Sequence, residues 1–255
     1  AGHAMKASNA TGRATAPAAS PLERIGLELT RELGGLRFGP PVACVYRPLE
    51  YAWEPHRLYL ARYGGGPKQV LLVGMNPGPW GMAQTGVPFG EVAAVREWMG
   101  IEAPVGRPEP LHPKRPVTGF ACTRNEASGR RLWGWARAAF GTPERFFERF
   151  FVVNYCPLMF IDADGANRTP DKLKRAEIPA LTAACDRALR RTAEQLRPAF
   201  VVGVGRYAAE RARTALAELP VAVGGITHPS PANPRANRGW AELATAELKA
   251  LGIAL

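Results

Sequence analysis

The chain has 255 residues, with 33 Lys and Arg against 22 Asp and Glu, giving a formal net charge of +11. Hydrophobic residues make up 46%, enough for a core, which excludes wholesale disorder. No apolar run reaches the roughly 18 residues of a membrane span, and the 27 Gly and 24 Pro follow no Gly-X-Y period, so they predict sharp turns.

In chain order, Ala1 to Met5 reads as a tag remnant, and the Ala-, Ser-, Thr- and Pro-rich stretch to Ser20 reads as a disordered tail. It lacks the apolar centre of a secretory signal. Residues 21–255 are expected to form one domain. Leu22, Ile25, Leu29 and Leu33 recur at helical spacing up to Gly34-Gly35, and Trp53 to Tyr63 predicts a second helix, stopped by three glycines. Gln69 to Gly74 is a continuous aliphatic run that suits a strand covered on both faces. Phe151 to Asn154 and Phe200 to Val204 match it, and Val221 to Ile226 makes a weaker fourth strand. Helical patterns fall at Glu91–Met99, Gly129–Phe140, Pro170–Leu196, Tyr207–Leu219 and Arg235–Leu251. This alternation predicts an α/β fold: a three-layer α/β/α sandwich around a mostly parallel four-stranded sheet.

The positive charge suits a polyanion such as nucleic acid, whose condensed counterions clustered Arg and Lys displace. Because 27 of the 33 basic residues are Arg, a GC-rich coding sequence would also produce it. Cys44, Cys122, Cys156 and Cys185 contain no close pair of the kind structural metal sites use, so free thiols in a reducing compartment are expected.

Ligands of parallel sheets bind beyond the carboxyl ends of the strands, which directs attention to three loops. Gly74 to Gly90 is too rich in Gly and Pro for helix or strand and suits a rigid loop whose backbone approaches a ligand closely. It carries neither a Walker motif nor G-x-G-x-x-G. Asn154-Tyr155-Cys156-Pro157-Leu158 places an amide at a strand end, where it caps a turn or reads the edge of a base. His228 to Trp240 is a tight Pro- and Asn-rich loop; a lone His there is more often structural than catalytic, but three polar strand ends converging on one cleft make a stronger case.

These three loops, with Glu50–His56 and Ser128–Gly134, resemble the single-strand-selective monofunctional uracil-DNA glycosylases of the uracil-DNA glycosylase superfamily, from about Leu22 to the C-terminus. The resemblance implies a base-excision repair enzyme. It would hydrolyse the N-glycosidic bond of uracil and of 5-oxidised uracils such as 5-hydroxymethyluracil, in single- and double-stranded DNA, and leave an abasic site. It assigns Phe89 to stacking on the extruded uracil, Asn154 to the N3–H and O4 edge, and His228 to the developing negative charge at O2. Asn76 is assigned to a water that it positions without acting as a base. Met75, Gly78 and Met82 are placed on the C5 side, where polar substituents are admitted and the thymine methyl is refused. No lysine lies in the three motifs, so no Schiff-base lyase step is expected. Where the family commonly has a wedge arginine, this chain has Ala232, leaving Arg235 and Arg238 as DNA-contacting candidates; Trp80 stands where Phe is commoner.

The expected partner is uracil-containing DNA, with no metal, cofactor or membrane, for a chain acting as a monomer. The short pairs Arg130-Arg131 and Arg190-Arg191 make no extended nuclear-targeting run, which favours a bacterial cytoplasm; a eukaryotic enzyme would be nuclear. Two rival readings of the same cleft are a non-catalytic binder of damaged or abasic DNA and a hydrolase of free nucleosides.

Overall fold

The computed structural model describes residues 17–255. Most of the expected N-terminal tail, residues 1–16, lies outside the described residues. The elements in order are α1 Pro21–Gly34, β1 Val42–Tyr46, α2 Pro48–Tyr51, α3 Trp53–Tyr63, β2 Val70–Gly74 and α4 Met82–Thr85. They continue with α5 Ala127–Phe140, α6 Pro143–Arg149, β3 Phe150–Asn154, β4 Met159–Asp162 and β5 Asn167–Arg168. The chain closes with α7 Ile178–Leu196, β6 Phe200–Val204, α8 Arg206–Ala215, β7 Ala222–Ile226 and α9 Trp240–Ala250.

The central sheet has strand order β3-β2-β6-β7 and every pair is parallel, as the aliphatic runs predict. β2 is buried along its whole length. Gly203 and Gly225 bring the backbone against Ala209 of α8 on one face, while Gly224 meets Leu251, just beyond α9, on the other. Helices α1, α7 and α8 pack in series on the first face, and α5 packs on α9 across the second, completing three layers. From β2 the chain steps to β3 on one side and later to β6 on the other. Such a reversal opens a crevice at the carboxyl ends of the strands.

Local chemistry sets the ends of α1. Ser20 accepts from the Glu23 amide at 3.2 Å and the Glu23 carboxylate accepts from the Ser20 amide at 2.7 Å, a reciprocal cap reinforced by Pro21.

Four expected helices are shorter than their patterns, and Tyr207–Leu219 already ends at Ala215. Glu91–Met99 narrows to a π-helical turn at Ala94–Trp98. Pro170–Leu196 splits into a 3₁₀ turn at Pro170–Lys172 and α7, because Pro179 has no N–H to continue a helix arriving from upstream. Arg235–Leu251 begins with a 3₁₀ turn at Pro234–Arg238, and Gly239, at φ 103°, separates it from α9. Three elements go beyond the sequence reading: α6, started by the Thr142 cap, and the short helices α2 and α4. A second sheet, antiparallel in the order β1-β4-β5, is also new. No helix among the described residues is long and apolar enough to cross a membrane, and all four cysteines are free thiols.

Candidate active site

The floor of the site follows from one glycine. Gly74 and Asn154 are register partners at the ends of β2 and β3. A Cβ on Gly74 would lie 2.5 Å from the Phe89 ring and would overlap Asn154 Oδ1, so its absence lets both side chains converge there. Phe89 itself sits at φ 55°, a left-handed conformation costly for a bulky residue. Two donors fix its carbonyl: Trp133 Nε1–H at 3.1 Å and the Glu91 amide at 3.0 Å. Gly129 of α5 provides the clearance that lets the backbone carbonyl approach.

Around this floor opens a cleft of about 400 Å³, lined by Met75, Asn76, Gly78, Phe89, Asn154 and His228 among others, which is ample for a nucleobase. A larger open groove of about 870 Å³ lies beside Arg62, Lys68 and Trp98. Lys68 precedes β2, so that groove is at the amino ends of the strands, away from the converging loops.

The three polar strand-end residues meet at the cleft as expected. Asn76 Nδ2–H donates to the Leu158 carbonyl at 3.0 Å, which orients the amide and leaves Oδ1 as its free acceptor. Asn154 Nδ2–H has only a weak acceptor, Met82 Sδ at 3.2 Å, and its Oδ1 is buried with no partner. An orphan buried acceptor costs free energy unless a ligand completes it. Met82 is buried behind Asn154 and is not among the lining residues; it backs the amide rather than walling the cleft.

His228 stands beside Phe89, with ring centroids 6.1 Å apart. The Ser230 backbone N–H donates to His228 Nδ1 at 3.0 Å, so Nδ1 is the acceptor nitrogen and the proton of the neutral ring is on Nε2. Burial holds its pKa down to about 4, which leaves the imidazole neutral at pH 7. Its Nε2–H has no acceptor among the described residues. The loop is pinned from both sides. Arg131 of α5 donates to the Pro229 carbonyl at 2.8 Å and Asn237 Oδ1 at 3.0 Å, and Trp240 Nε1–H of α9 donates to the Thr227 carbonyl at 2.7 Å. Arg235 and Arg238 lie exposed on the 3₁₀ turn beyond, outside the cleft lining.

Two residues escape a reading of the sequence. Arg131 is one. Glu126, immediately before α5, is the other: its carboxyl fills the space beside Gly78 and Gly81, where a Cβ at either glycine would overlap it. Its Oε2 is sealed from solvent without a hydrogen-bond partner. Burial pushes its pKa up to about 7, assisted by Glu91 and opposed by the Trp80 and Gly81 amides. The folded protein therefore keeps a proton between about pH 4.5 and 7 that the unfolded chain loses, and stability falls as pH rises through that window. Glu126→Gln is expected to remove this loss, on the order of 3 kcal/mol. Urea unfolding at both ends of the window checks it; an identical pH dependence in variant and wild type would refute the assignment.

Comparison with known proteins gives a consistent answer. Residues 62–249 match the family model "Uracil DNA glycosylase superfamily". The single-strand selective monofunctional uracil DNA glycosylase of Bos taurus is 52% identical over 89% of this chain and 84% of its own length. That of Mus musculus is 51% identical over 89% and 82%. The crystal structure of wild-type Pedobacter heparinus SMUG2 superposes with a TM-score of 0.63 over 89% of this chain and 98% of that one. At 17% identity, the latter speaks for the fold alone. The chain therefore belongs to the uracil DNA glycosylase superfamily and, within it, to the single-strand selective monofunctional uracil DNA glycosylases.

Proposed function

We propose that residues 21–255 act as one domain that hydrolyses the N-glycosidic bond of uracil, and of 5-oxidised uracils such as 5-hydroxymethyluracil, in single- and double-stranded DNA. The observation that carries this reading is the pairing, in one cleft, of an unpartnered acceptor on Asn154 with an unpartnered donor on neutral His228. Those are the groups uracil needs at N3–H and O2.

An extruded uracil stacks on Phe89. Asn154 Oδ1 accepts from N3–H and its Nδ2–H turns to O4. As the N1–C1′ bond breaks, electrons move onto the base, and the His228 Nε2–H bond to O2 strengthens with the charge. Asn76 cannot take a proton from water; its Oδ1 orients a water that attacks C1′ after the sugar has gained cationic character. The water adds OH to C1′ and releases one proton, and the uracil anion takes up one from solvent. Among the described residues no lysine lines the cleft, in keeping with release of a free base and an intact abasic strand. Met75 and Gly78 line the remaining edge, on the C5 side of the base, where polar 5-substituents are admitted. Arg235 and Arg238 supply phosphate contacts outside the cleft.

The test is incubation of a labelled uracil-containing oligonucleotide followed by alkali. Scission at the uracil is the expected result; intact strand after full incubation would overturn the reading and favour a non-catalytic binder. Asn154→Asp is expected to slow single-turnover uracil release about 10- to 100-fold, because the carboxylate presents no donor to O4. Equal rates would remove Asn154 from base recognition. Ala232 offers only a methyl group to the gap an extruded base leaves in a duplex. Ala232→Arg is expected to raise the duplex-to-single-strand activity ratio several-fold, and an unchanged ratio would count against that account of strand preference.

A further inference from the structure

Of the six tryptophans, four have their Nε1–H hydrogen-bonded inside the protein; Trp53 and Trp80 have no acceptor among the described residues. Trp80 is half-buried at the lip of the cleft, on the loop after β2. The guanidinium of Arg124 lies over its ring at 4.2 Å from the centroid, and that of Arg115 at 5.9 Å. The two arginines differ in their ties. Arg115 donates from Nε to the Gly165 carbonyl at 2.8 Å. Arg124 is exposed and its side chain has no hydrogen-bond or carboxylate partner among the described residues.

A planar cation lying on an indole, with all its N–H donors free, presents a flat π surface beside a set of phosphate donors. Both features are needed to hold one nucleotide of a single strand: the base stacks on the plane, and the adjoining phosphate takes the N–H groups. A duplex does not offer that base face. Elsewhere on the cleft lining, Ser230 and Pro231 are followed by the exposed Ala232, which supplies neither stacking nor charge. We propose that Trp80 and Arg124 form a stacking platform that binds the nucleotide neighbouring the extruded one in single-stranded DNA. The proposal rests on the reading of the cleft as a site for DNA. It adds a strand-binding surface outside the base pocket.

The experiment measures anisotropy of a labelled, uracil-free oligodeoxythymidylate with wild type, Arg124→Ala, Trp80→Ala and Trp80→Phe, and in parallel uracil release from a single strand. Arg124→Ala and Trp80→Ala are each expected to weaken binding about 10-fold, whereas Trp80→Phe, which keeps a π face, stays within about 2-fold. Arg124→Ala also lowers the salt slope of binding by about 0.7, the value for one lost phosphate contact on a single strand. In the release assay, the two alanine variants raise KM and leave kcat unchanged, as expected for groups that hold the strand rather than act on the bond. Arg124 is exposed, so its replacement leaves folding intact even if Trp80→Ala does not fold. Wild-type binding by Arg124→Ala overturns the platform. If wild type also releases no uracil, the glycosylase reading fails separately, and the platform is then judged on binding alone.

Discussion

His228→Ala is expected to lower the single-turnover rate of uracil release by about 100-fold or more, the scale for losing one preorganised donor to a developing anion. The argument rests on the ring's protonation. With Nδ1 occupied as acceptor for the Ser230 amide and the pKa held near 4, the ring reaches the reaction neutral, with its proton on Nε2. Protonation would place an N–H on Nδ1 against the Ser230 N–H, donor against donor, which opposes the imidazolium further. The loss should therefore appear in kcat rather than in substrate binding. The ratio of wild-type to variant rates should also stay constant from about pH 5.5 to 8, because His228 does not titrate there. A ratio that collapses as pH rises through 6.5 would mean that the charged ring is the active form.

Gly74→Ala is expected to abolish the site from beneath it. The new methyl would lie 2.5 Å from a Phe89 ring carbon, far inside the roughly 3.5–4.0 Å of a carbon–carbon contact, and would overlap Asn154 Oδ1 as well. Neither neighbour yields easily. The Phe89 backbone is held by Trp133 and Glu91, and Asn154 ends a strand in register with Gly74. Overpacking of this kind costs about 1–3 kcal/mol of stability, and uracil release should fall about 100-fold or more because both the stacking ring and the reading amide are displaced. Gly134→Ala, on α5 where no atom lies within 4 Å, is the matched control and should leave release unchanged. Wild-type activity in Gly74→Ala would refute the convergence of Phe89 and Asn154 on this floor.

Much of this arrangement is legible in the chain. The strands of the parallel sheet announce themselves because burial on both faces demands unbroken aliphatic runs, and Val70 to Val73, fully buried, is such a run. The binding loops are visible because backbone approach demands Gly and Pro. The antiparallel sheet is harder to see. β1 carries an irregularity between Val42 and Cys44, and β4 and β5 are too short to reveal a period. Glu126 looks like any charged residue ahead of a helix; only the bare Cα atoms of Gly78 and Gly81, far away in sequence, show what its carboxyl does. Arg131 is hidden in the same way, since its acceptors come from the last loop of the chain. Tautomer and charge at His228 depend on the Ser230 amide and on burial, both products of the folded loop.

Nitrogen-15 NMR of the His228 imidazole across the acid-to-neutral range addresses the chemistry most directly. Shifts typical of an unprotonated Nδ1 and a protonated Nε2, with no titration until about pH 4, are expected. A ring that titrates near 6.5, or that holds its neutral proton on Nδ1, would contradict the account.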